Sequence, residues 1–220
     1  LQICNIRDAK GAMEMLKVNL GELAKTINEN QVTEVGNPNN KDIAVIGIAG
    51  KLPRARNLTE FWENLTQGVD CTADLPQERR AGADAYLRFI GKEPAGIKYK
   101  KGSYLERVDE FDCQFFNIPP REASLMDPNQ KMFLETAFHA LEDSGYGGQK
   151  LRGSRTGVYV GFVSDLAYQR YIANVEPASV GISIPGNMAA LIPGRVSYTL
   201  DLKGPSILID TACSSSLVAI

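Results

Sequence analysis

Residues 206–220 read SILIDTACSSSLVAI, and no other stretch constrains the fold as much. After the turn at Gly204-Pro205, the apolar run from Ser206 to Asp210 predicts a strand, and Ser214 to Ile220 predicts the start of a helix. Cys213 falls in the tight passage between the two. A side chain there projects toward the mouth of an α/β sheet, a position suited to a nucleophile.

Two readings of Cys213 follow from position alone. At a helix amino end, unpaired N–H groups and the positive dipole end favour thiolate over thiol, and thiolate is the reactive species. The same N–H groups can hold the oxyanion of a tetrahedral thioester intermediate. Ala212, Ser214, Ser215 and Ser216 are small enough to let a substrate reach the sulfur. The alternative is a structural cysteine packed among small residues at a helix start, since free cysteine is commonly buried. Cys4, Cys71 and Cys113 lack the strand-to-helix setting, and without any C-x-x-C pair they read as separate thiols rather than a zinc site or disulfide framework. The serines do not make a serine hydrolase, because no G-x-S-x-G elbow encloses them and no histidine is placed to act as base.

Upstream, the pattern alternates strand and helix, which points to an α/β architecture. Met13, Leu16, Leu20, Leu23 and Ile27 line one narrow helix face, and the polar stretch 34–41 reads as a linker, so residues 1–40 are expected to form a separate helix and linker. That helix is either a docking element or the tail of a preceding domain. The main domain then covers residues 41–220, opening with Ile43–Ile48 as a doubly buried strand. Gly47 and Gly50 give only G-x-x-G, too little for a dinucleotide loop. Asn57 and Glu60 suggest a capping box for an amphipathic helix whose Phe61 and Trp62 should pack in the core. Residues 69–120 mix charge, glycine and proline without sustained periodicity and read as a long excursion with short elements. Asp127-Pro128 opens a helix that runs to Gly145 with core face Phe133, Leu134, Ala137 and Leu141. His139, the single histidine, lies on the other side of that helix among acids and reads as solvated. Residues 156–162 predict another strand, and 186–198 a helical stretch interrupted at Pro193.

With 24 basic and 26 acidic side chains in 220 residues, net charge −2, nothing recruits nucleic acid or an anionic membrane surface. No apolar run is long enough to span a bilayer and no leader pattern is present, so a cytoplasmic location is expected. Leu217, Val218 and Ile220 have nothing after them to pack against, which leads to the expectation that the chain is part of a longer polypeptide.

Four stretches, in this order, resemble the landmarks of β-ketoacyl synthase domains from modular polyketide synthases: IAVIGIAGKLPRARNLTEFWENL, PPREASLMDPNQKMFLETAFHALEDSGY, GVYVG, and PGRVSYTLDLKGPSILIDTACSSSLVAI. The resemblance implies an α/β, thiolase-like layered fold (αβαβα), of which the chain holds the N-terminal part. It implies decarboxylative Claisen condensation of carrier-bound acyl and malonyl-type thioesters through an acyl-Cys213 intermediate, with the Cys213 N–H also in the oxyanion hole. Acyl carrier proteins with phosphopantetheine arms, a homodimeric partner and other synthase domains are implied as partners, with no cofactor or metal bound directly. The family's two catalytic histidines and its lysine belong beyond the cysteine helix, and His139 matches neither histidine. Asn129, Gln130 and Lys131 stand where many relatives carry glutamine-glutamine-arginine. A non-condensing acyl-transfer or scaffold module of the same fold is the alternative.

Overall fold

Two short β-branched runs find each other across more than forty intervening residues. The computed structural model describes residues 43–220. β1 (Val158–Gly161) and β2 (Ser206–Ile209) form a parallel pair with Val158 opposite Ser206 and Gly161 opposite Ile209. The pair is extended by Val158 N–H to Pro205 C=O (2.7 Å) at one end and Phe162 N–H to Ile209 C=O (3.1 Å) at the other. Both strands fall where the apolar runs predict them. Residues 45–220 form one compact unit. The helix and linker expected over residues 1–40 lie outside the described residues.

Eight α-helices accompany the strands among the described residues: α1 (Leu58–Thr66), α2 (Gln77–Phe89), α3 (Pro120–Leu125), α4 (Pro128–Asp143), α5 (Ala167–Val175), α6 (Val180–Asn187), α7 (Leu191–Thr199) and α8 (Ser215–Ala219). α7 and α8 each pack on both strands, α4 packs on α7, and α6 contacts α3 and α5. The central cluster joins Phe116, Ile118, Ala123, Met126, Leu134 and Val196, with Phe133, Ala137, Phe138 and Val158 packed against it. Burial of this apolar surface is the main stabilising contribution to the unit.

α4 begins as its sequence dictates. The Asp127 carboxylate accepts from the Asn129 N–H at 2.7 Å, and Pro128 occupies the first turn, where its missing N–H costs nothing. Leu134 is fully buried on the expected face, while His139 is exposed, its Nδ1 3.3 Å from Glu142. α1 is likewise capped, by Asn57 Oδ1 accepting from Glu60 N–H at 2.9 Å. Only half of the expected capping box forms, because the Glu60 carboxylate turns back to the Arg56 N–H and guanidinium.

Four expectations need correction. Ile43–Ile48 is not a strand: the segment pairs with no described strand and leaves Val45 81 % exposed. What holds its end at Gly47 and Ile48 is α4. The Ile48 N–H donates to Asp143 Oδ2 (2.9 Å), and a Cβ on Gly47 would stand 2.5 Å from the Ala140 carbonyl oxygen, so only glycine permits this approach. Trp62 does not enter the core either; it is 64 % exposed, because no described element covers that face of α1. The break in residues 186–198 falls between α6 and α7 rather than at Pro193, which sits in the first turn of α7 and interrupts no bond there. Finally, residues 69–120 contain a regular helix, α2, which opens after Pro76 and docks through Tyr86 on Tyr171 of α5 (centroids 5.2 Å apart).

Candidate active site

β2 ends at Ile209, and the chain reverses into α8 within a few residues. Asp210 Oδ1 accepts from the Ala212 N–H at 3.2 Å, and Ala212 adopts φ +54°. A residue with a Cβ is uncommon in that left-handed region and is held there only by surrounding contacts. One 3₁₀ turn, Ala212–Ser214, then leads into α8. Cys213 stands at the centre of this turn and is exposed, with its thiol free. Its N–H has no acceptor among the described residues. The sharp turn therefore presents sulfur and a free backbone donor together, the combination that acyl transfer requires.

Serine hydroxyls surround the turn. Ser214 Oγ lies 2.9 Å from both the carbonyl oxygen and Oγ1 of Thr211. Ser215 Oγ accepts from the Thr211 N–H at 2.9 Å and donates to the Ala212 carbonyl at 2.7 Å. Beneath them lies the end of β1, where a Cβ on Gly161 would stand 2.6 Å from the Ser215 carbonyl carbon. α7 fixes the other end of β2 through Ser197 Oγ and Ser206 Oγ, 2.6 Å apart.

Among the described residues the other sequence candidates do not join this turn, and Cys4 lies outside the described residues. Cys113 packs against the central cluster. Cys71 Sγ lies 3.7 Å from the Val69 carbonyl oxygen, far along the chain. His139 lines a cavity of about 400 Å³ with Lys51, Thr136 and Asp143, a lining that does not include Cys213. Lys131, one of the departures from the family pattern, is buried on α4. Burial pushes its ammonium below the ordinary lysine value, opposed by Asp109, Asp127 and Glu135. Beside it, Gln130 Nε2 donates to the Met188 carbonyl at 3.1 Å, just beyond the end of α6. Among the described residues no helix is long and apolar enough to cross a membrane.

The sequence placed Cys213 at the turn, counted Ser215 only among the small residues that open a path to the sulfur, and gave no role to Gly161; Ser215 is instead buried, its hydroxyl bonded within the turn. The only local signal for them was the run of small residues after the cysteine and the glycine closing GVYVG. Neither reveals a contact between segments more than fifty positions apart.

Residues 40–220 match the family model described as the β-ketoacyl synthase N-terminal domain. The chain is 46 % identical over 179 residues to polyketide synthase ThaG of Burkholderia thailandensis, covering 81 % of this chain and 3 % of that protein. It is 39 % identical over 180 residues to a fatty acid synthase of Anser anser anser, covering 82 % of this chain and 47 % of the relative. Among solved structures, the ketosynthase from module 6 of the bacillaene synthase of Bacillus subtilis superposes with a TM-score of 0.61 at 37 % identity, covering 80 % of this chain and 27 % of that one. An oxazolomycin ketosynthase domain from Streptomyces albus gives 0.60 at 34 % identity, covering 80 % and 30 %. The chain thus spans only 3 % and 4 % of the length of the polyketide synthases ThaG and PksM that it matches. Its fold is the thiolase-like α/β fold of these ketosynthases, present as its N-terminal part. The order of strand, sharp turn and helix around Cys213, the match over residues 40–220 and the superposition on ketosynthase domains agree: this chain belongs to the β-ketoacyl synthase family.

Proposed function

We propose that the chain supplies the nucleophile for decarboxylative Claisen condensation in polyketide chain elongation. The observation that carries this reading is the exposed Cys213 on a turn bent at Ala212, with an unclaimed N–H at the same residue. In the first half-reaction the Cys213 sulfur attacks the carbonyl of an acyl thioester on a carrier protein. A carbon–sulfur bond forms, the bond to the phosphopantetheine sulfur breaks, and the carrier leaves as a thiol with the proton given up by Cys213. The Cys213 N–H donates to the oxyanion of the tetrahedral intermediate.

In the second half-reaction a carrier-bound malonyl-type thioester loses carbon dioxide, and the electron pair of the broken carbon–carbon bond becomes the attacking carbanion equivalent. It bonds to the Cys213 acyl carbonyl, and the cysteine sulfur departs as thiolate to receive the next chain. The residues that assist decarboxylation are assigned to the family's C-terminal portion. Carrier proteins with phosphopantetheine arms, a second copy of the chain and other synthase domains are the partners this reading requires, with cytoplasm as its location. The similarity to polyketide and fatty acid synthases supports it.

The test is mass mapping of the full-length protein after incubation with an acyl-carrier thioester. The expected result is a mass gain at Cys213, lost in Cys213→Ala. Acylation confined to Cys71 or Cys113 overturns the assignment. Acylation of Cys213 without carbon dioxide release, when a malonyl carrier is added, replaces condensation by acyl transfer alone.

A further inference from the structure

Ala212 cannot hold φ +54° by its own preference, so something must keep the turn that carries Cys213 closed. Two features meet there from opposite sides. From within, the Ser215 hydroxyl uses both of its capacities at once, accepting from the Thr211 N–H (2.9 Å) and donating to the Ala212 carbonyl (2.7 Å). It therefore ties together the two backbone groups that bracket the strained residue. Ser215 is 4 % exposed, whereas Cys213, Ser214 and Ser216 are all exposed, so water is poorly placed to replace its bonds.

From beneath, β1 ends at Gly161 against the peptide that joins Ser215 to Ser216. A Cβ at position 161 would lie 2.6 Å from Ser215 C, 2.7 Å from Ser216 N and 2.8 Å from Ser215 O. All three are backbone atoms that cannot swing aside. Gly161 is itself held in register opposite Ile209, and the Phe162 N–H bonds to the Ile209 carbonyl at 3.1 Å. A side chain there would push the start of α8 outward and take the cysteine turn with it.

We infer that Ser215 and Gly161 are positioning residues that clamp the turn and set where the Cys213 sulfur stands, Ser215 by its doubly used hydroxyl and Gly161 by its lack of a side chain. This rests on Cys213 being the nucleophile. Neither residue touches the acyl group. Both act through the backbone of residues 211–216, so their loss changes how often the sulfur occupies the attacking position rather than how donor binds.

The experiment measures single-turnover acylation of Cys213 in the full-length protein, together with the rate of Cys213 alkylation by iodoacetamide from pH 6 to 10. Ser215→Ala is expected to lower the maximal acylation rate by about tenfold to a hundredfold, the cost of misplacing a reacting atom by around 1 Å, with KM for the acyl-carrier donor within about twofold. The pH profile of alkylation changes with it. Ser215→Thr, which keeps the hydroxyl, recovers a larger share of the rate. Gly161→Ala, which keeps every hydroxyl, lowers the rate in the same manner and decides the matter if Ser215→Ala does not fold. Unsubstituted rates and an unchanged alkylation profile in whichever of the two folds overturn the clamp while leaving Cys213 in its role. Absence of Cys213 acylation in the unsubstituted protein removes the nucleophile assignment itself.

Discussion

Leu134 sits 1 % exposed against Met126, Phe116 and Val196, with the whole of its side chain removed from water. Truncating it deletes buried methyl groups and leaves a cavity whose walls, drawn from several segments, close only in part. Leu134→Ala is expected to destabilise the protein by about 2–5 kcal/mol, read as a lower midpoint of urea unfolding with unchanged slope. Three positions earlier, Lys131 is buried as well, yet its position brings a desolvation cost rather than a gain. Side chains on the same helix face thus contribute with opposite sign. Apolar periodicity revealed the first and could not reveal the second, because burial of a lysine follows from the tertiary neighbours and not from its own chemistry.

Between elements, Arg121 of α3 reaches Glu176, which precedes the short 3₁₀ turn Pro177–Ser179, and also donates to Ser179 Oγ at 2.7 Å. The Arg121 hydrogen bond, and next the Ser179 hydroxyl, hold the Glu176 carboxyl below its ordinary value of 4.5. The folded state therefore releases this proton more readily than the unfolded chain. The stability it contributes is present above the ordinary carboxylate range and is lost as pH falls through the lowered folded value. Glu176→Gln is expected to make the acid limb of the stability curve shallower, measured as unfolding midpoint between pH 6 and 3. A curve of unchanged steepness would place the acid sensitivity elsewhere.

At the level of elements, local signals succeeded where they were self-contained. Asp127-Pro128 set the start of α4, and the runs at 158–161 and 206–209 became strands, because caps and β-branched residues act over a few positions. The same local rules failed at Ile43–Ile48, where β-branched composition met no partner strand among the described residues. They failed again at α2, whose charged residues and Gly82 hide a helix that docks through Tyr86. A strand is a property of a pair, and a docked helix depends on its neighbour.

For the whole molecule, the central cluster draws its buried residues from 116–196, and the family match spans residues 40–220. We propose that residues 1–40 form a separate helix and linker. Their deletion is expected to leave both the thermal midpoint and the rate of Cys213 self-acylation unchanged, while transfer from a partner subunit falls if the segment is a docking element. A slower self-acylation after deletion would make those residues part of the condensing unit. Leu217 and Val218 on α8, and Ile220 just past its end, are exposed.

By itself the amino-acid sequence determined the α/β alternation, the strand-to-helix passage at Cys213 and the caps that begin α1 and α4, since each depends on residues a few positions apart. Tertiary structure alone decided that Trp62 faces solvent, that Gly47 lies against Ala140, and that Gly161 supports the peptide after Ser215. Those outcomes depend on close packing between segments distant in sequence, and no local pattern encodes which backbone will arrive beside a given glycine or leave a given tryptophan uncovered.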